Sequence, residues 1–154
     1  MKNELFNAIR EQNLSMVSEI LKEEPSLAQE KDERGSTPLL LATYYGYHEI
    51  SVGILKFPQD IDMQDGSGNT ALMGVCFKGF TALAGELIKA KADVNKKNFN
   101  GATALIFAAT FAKIDIVKML LENGADVTIK DDRGNTAKDH AVMQGVKSMI
   151  ALLS

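Results

Sequence analysis

The chain has no tryptophan, one cysteine, three prolines and two histidines, and each scarcity removes a class of protein. Cys76 stands alone, so no internal disulfide can hold the fold and nothing asks for an oxidising compartment. With one cysteine and two well-separated histidines, His48 and His140, the ligand set of a metal site is not assembled, and no metal is expected. No apolar run approaches the roughly 18 residues that cross a bilayer. The opening MKNELFNAIREQN carries charges where a secretory leader needs an unbroken apolar segment. The expectation is a cytoplasmic protein with no membrane partner. Basic residues number 17 against 20 acidic, a net charge of −3 without the basic stripe that phosphate binding requires, so no nucleic-acid partner is expected. Lys89, Lys91, Lys96 and Lys97 are locally dense and read as a solvated rim around a turn. Neither a G-x-S-x-G nucleophile motif nor a Walker-type phosphate loop is present.

What the chain does have is a repeat. Gly35, Gly68, Gly101 and Gly134 are spaced 33 residues apart, with Asp32, Asp65, Asn98 and Asp131 three residues before them and Thr37, Thr70, Thr103 and Thr136 two residues after. A constant period of this length marks a stacked array. In DERG, DGSG, NFNG and DDRG, Asp or Asn at the first position and Gly at the fourth suit a type I β-turn. The threonine that follows is a good helix N-cap, and Pro38 suits a first helical position. Each first helix runs about nine residues to Gly46, Gly79, Ala112 or Gly145. A second helix then carries apolar columns at the same period: Ile50, Leu83, Ile116 and Met149, and Ile54, Leu87, Leu120 and Leu153.

Helices this short are marginal alone, so neighbours must complete the core. Small residues on the first helices, Ala42, Val75, Ala108 and Ala141, allow close approach of adjacent units. The last unit has Lys138 and Asp139 where inner units bury apolar residues, as an end cap should. The segment LFNAIREQNLSMVSEILKEE has the two-helix pattern without the opening turn, in register with the next unit at a step of 34. The fold class is therefore all-α: a solenoid of stacked helix-turn-helix units joined by β-turn or hairpin loops. It forms a single domain, 1–154, with an N-terminal capping unit at 4–31, full units at 32–64, 65–97 and 98–130, and a C-terminal capping unit at 131–154.

GSTPLLLA, GNTALMGV, GATALIFA and GNTAKDHA resemble the ankyrin-repeat line G-x-T-P-L-H-x-A, and NGADVT and KADVN resemble that repeat's ending. The resemblance covers residues 4 to 153. Leu40, Met73 and Ile106 stand where the family usually has histidine, and Pro58 stands where it usually has glycine, which gives the first full unit a different bend. The resemblance implies that turns and first helices line a concave groove that binds another protein. The residues it aims there are Arg34, Tyr44, Tyr45, Phe77, Lys78, Phe99, Asn100, Phe111 and Met143, together with Arg133 and Gln144. Tyr45, Phe99 and Phe111 are expected to be exposed anchors, with Arg34, Lys78 and Asn100 giving polar selectivity. Tyr44, Phe77 and Met143 either fold onto the neighbouring helix or join that face. His48 opens a second helix and His140 lies in the C-terminal cap, so both have structural roles. Cys76 is a small buried residue with an inert thiol. The chain is expected to be no enzyme, to need no cofactor and to act as a monomer. It serves as a protein-binding module or adaptor, or alternatively as a free-standing inhibitor of one enzyme or toxin.

Overall fold

The computed structural model describes all of residues 1–154. Ten helices follow in order: α1 Lys2–Arg10, α2 Leu14–Glu23, α3 Pro38–Tyr44, α4 His48–Leu55, α5 Ala71–Lys78, α6 Thr81–Lys89, α7 Ala104–Thr110, α8 Ile114–Glu122, α9 Ala137–Gln144 and α10 Lys147–Leu152. A 3-10 helix, Pro25–Gln29, follows α2. Odd-numbered helices stack in one row and even-numbered helices in a second row behind it. From α3 to the C-terminus the helices of the first row pack on one another more closely than those of the second; between the N-terminal unit and the next, the second row packs more closely.

The four turns are built alike. Oδ1 of Asp32, Asp65, Asn98 and Asp131 accepts from the backbone N–H two and four residues on, at 2.9–3.0 Å. The turn glycines all have φ near +80° (85, 81, 76 and 81°), a conformation that penalises a Cβ. Gly68 is confined in addition, because a Cβ there would lie 2.6 Å from the Phe99 amide nitrogen. Successive turns join where Phe99 N–H donates to Ser67 and Asp132 N–H donates to Asn100. Each of Thr37, Thr70, Thr103 and Thr136 accepts at its hydroxyl from the N–H three residues on, at 3.2–3.3 Å, and starts its helix as the sequence requires.

The core is continuous. Ala42, Val75, Ala108 and Ala141 are fully buried in the first row, and every member of the two second-row columns is buried behind them. Burying each Leu or Ile contributes about 1.5–3 kcal/mol, and it is the neighbouring units that provide the cover. Where the family's histidine is replaced, the Met73 sulfur lies 3.5 Å from the Thr70 N–H as a weak acceptor. No buried side-chain nitrogen or oxygen lacks a partner.

Side chains also cross between units. Gln29 Oε1, Asp62 Oδ1 and Asn95 Oδ1 accept in turn from the N–H of Asp60, Asp93 and Asp126. The aspartates of KADV and GADV in addition receive the N–H of Asn95 and Thr128, which makes them turn caps. The chain bends differently at Pro58: the equivalent residues of the next two units, Lys91 and Gly124, are left-handed at φ 75° and 88°, a conformation that proline cannot take. Lys138 and Asp139 are exposed, and Asp139 Oδ2 accepts from the Thr136 N–H at 2.9 Å to complete a capping box.

Candidate functional site

Apolar surface is concentrated on one row. Of eleven large apolar side chains that stand exposed, seven belong to the turns or to the first helices and their C-terminal caps: Tyr44, Tyr45, Phe77, Phe99, Phe111, Val142 and Met143. The second row faces water through polar residues at most positions, while the first row presents rings that the core does not use. Stacking explains the difference, since small residues seat the first helices while the residues at their C-terminal ends project past the neighbour.

These residues form two clusters. In the first, Tyr45 meets Tyr44 edge-on at 5.3 Å between centroids and stacks on Tyr47 at 5.7 Å. In the second, Phe77 meets Phe111 edge-on at 4.7 Å and Phe107 at 6.5 Å. Lys78, the residue after Phe77, reaches back to the first cluster, its Nζ 4.4 Å from the Tyr44 ring centroid. Phe99 is the most exposed of the rings, at 65%, and lies against Gly68 of the preceding turn, apart from both clusters. Met143 is 60% exposed at the C-terminal end of the row. Arg34 and Asn100 are exposed turn residues. Tyr44, Phe77 and Met143 all stand exposed, and Phe77 at the same time lies against Phe107 and Phe111 of the neighbouring unit.

Sequence reasoning did not single out Tyr47, Phe107 or Gly74, and read Asp65 as a turn residue alone. Phe107 and Gly74 share a register, nine residues after Asn98 and Asp65, so comparing that column across units was the available signal. The same column holds Leu41 and His140.

Two cavities open here. One, about 960 Å³, lies between α1 and the first turn and is lined chiefly by polar groups, among them Lys2, Arg10, Asp32 and Arg34. Arg10 Nη2 sits 3.5 Å from Asp32 Oδ2. The other, about 290 Å³, is a notch in the middle of the row, walled by Tyr44, Phe77 and Phe107 and floored by Gly74. A Cβ on Gly74 would meet nothing within 4 Å.

His140 Nε2 lies 2.7 Å from Asp131 Oδ2. Burial pushes the Asp131 carboxyl up, but the Asn135 and Arg133 N–H groups and the His140 ring outweigh it and hold the carboxyl below the ordinary aspartate range. His48 is exposed. Cys76 is fully buried, and desolvation pushes its thiol well above the ordinary value, which denies it thiolate character. Neither cavity is lined by Cys76 or a histidine. No helix is long and apolar enough to cross a membrane.

Paired short helices stacked in two rows, with a hydrogen-bonded turn opening each unit, define a helical-hairpin solenoid. A family model described as ankyrin repeats (3 copies) matches residues 51–131 and again 74–154, and the chain belongs to the ankyrin-repeat family. Ankyrin repeats are generally protein-binding modules and usually non-catalytic. Comparison with curated proteins finds no match.

Proposed function

We propose that this chain binds a partner protein through the face formed by its turns and first helices, as an adaptor or an inhibitor, and performs no chemistry of its own. The observation that carries this reading is the concentration of exposed rings on one row of a rigid stack. Tyr45, Phe99 and Phe111 are the anchors, because aromatic side chains contribute large contact areas at small entropic cost. Arg34, Lys78 and Asn100 supply directional polar contacts around them, with Tyr44, Phe77 and Met143 extending the apolar surface. A stack held by 35 buried core residues orders little on association, which favours affinity.

The test is a variant with Tyr45, Phe99 and Phe111 all changed to alanine. It should retain the helical signal and the melting transition of wild type while losing most of the affinity for a partner captured by wild type from its native source. Undiminished capture rejects this face. A single stoichiometric partner whose activity is quenched points to an inhibitor, and two or more partners held together point to an adaptor.

A further inference from the structure

We propose that the Gly74 notch seats an arginine side chain of the partner protein, with Asp65 as its counter-ion; this rests on the partner-binding reading of the same face. Internal repetition supplies the template. Moving 66 residues along the chain carries Asp65 onto Asp131 and Gly74 onto His140. In the last unit the His140 ring projects from the first helix and places Nε2 2.7 Å from Asp131 Oδ2. In the first full unit, Asp32 Oδ2 is met by Arg10 at 3.5 Å. Asn98, the uncharged member of the column, donates from Nδ2 to Asn69 Oδ1 at 2.9 Å.

Asp65 differs from the other three. Its Oδ1 takes the N–H groups of Ser67 and Asn69 as the turn requires, while Oδ2 forms neither a hydrogen bond nor an ion pair. The position that holds a ring in the last unit is Gly74 here, with open space above its Cα. What remains is a vacant slot of about 290 Å³ in which Asp65 is the only ionised lining group and Tyr44, Phe77 and Phe107 are the walls.

A carboxylate between aromatic rings selects a cation that is flat and carries N–H donors at its edge. Guanidinium meets both requirements, stacking on the rings while its fork donates to the carboxylate. A lysine ammonium is compact and more strongly hydrated, and fills such a slot less well. Lys78 is placed over Tyr44 and does not line the notch; Lys2, Arg10 and Arg34 share the larger neighbouring cavity with Asp65, but none pairs with it, and Arg10 is held by Asp32.

The experiment is selection of random dodecapeptides displayed on phage against the full 154-residue chain, followed by affinity measurement on synthetic peptides. Three variants serve as comparison baits: Asp65→Asn, Gly74→His, and the triple alanine variant of Tyr45, Phe99 and Phe111. Asp65→Asn should preserve the turn, since Asn98 makes the same two Oδ1 contacts in the next unit. Gly74→His reproduces the pair of the last unit and fills the slot from within. Selected peptides are expected to share an arginine whose replacement by the neutral isostere citrulline weakens binding about tenfold or more, with a similar loss on Asp65→Asn and on Gly74→His. Peptides that require the three rings yet share no arginine, or bind Asp65→Asn and Gly74→His as tightly as wild type, overturn the arginine seat and leave the face assignment standing. A selection that yields no clones, or only clones indifferent to the triple alanine variant, overturns both.

Discussion

The Gln59 side-chain amide donates to the Ile54 carbonyl at 2.8 Å, taking the place of a main-chain bond that the neighbouring units make. In those units the N–H of Ala92 reaches Leu87, and that of Ala125 reaches Leu120, each at 3.0 Å. The preceding residue there is left-handed, Lys91 at φ 75° or Gly124 at φ 88°. Pro58 has its φ locked near −65° and cannot turn the chain that way, so the N–H of residue 59 makes no such bond and the Ile54 carbonyl, which also accepts from the Phe57 N–H at 3.1 Å, takes the Gln59 side chain as its second donor.

Replacing Gln59 by alanine should therefore lower stability by about 1 kcal/mol, the usual cost of losing a hydrogen bond at a helix end. In a Pro58→Gly background the loss should be smaller, because the backbone of residue 59 becomes free to make the bond itself. Urea unfolding of the four proteins in the double-mutant cycle measures this coupling. Equal losses in both backgrounds would show that the two positions are independent.

Two glycines should respond to alanine with opposite signs. Gly74 lies within α5 with nothing near its missing Cβ, so Gly74→Ala should raise stability by about 0.5–1 kcal/mol through lower unfolded-state entropy. Gly68 combines a φ of +81° with the Phe99 amide nitrogen 2.6 Å from a built Cβ. Gly68→Ala should cost on the order of 1–3 kcal/mol and loosen the joint between the second and third turns. Thermal or chemical denaturation reads both changes, and a shared sign would contradict the packing described for these two positions.

Acid should open the C-terminal unit before the middle of the stack. Three carboxyls near that end titrate below the ordinary aspartate value of 3.8: Asp126 through the Thr128 hydroxyl and N–H, Asp139 through the Thr136 N–H and hydroxyl, and Asp131 through the contacts that outweigh its burial. A carboxyl whose folded pKa lies below its unfolded pKa adds stability above the unfolded value, and that contribution is lost as pH falls through the folded value. Asp62 has the opposite sign, since burial raises its carboxyl despite the Asp93 N–H, so protonation there favours the folded state. Hydrogen exchange as pH is lowered from about 5 to about 2 should show residues 131–154 losing protection before residues 65–97. Uniform loss along the chain would count against it.

The repeat, its period and its helix N-caps were legible in the residues because each is local chemistry. An Asp or Asn that binds its own turn, a glycine at positive φ and a threonine that starts a helix act over a few residues and recur every 33. The apolar columns were legible for the same reason, since helical periodicity puts them on one side. Tertiary structure alone decided which ring meets which, because the contacts of Phe77 with Phe107 and Phe111, and of Lys78 with Tyr44, cross from one unit to another. It also distinguished Asp65 from Asp32 and Asp131. The three look alike along the chain, and only packing shows that Arg10 and His140 reach two of them while Gly74 leaves the third facing an open slot.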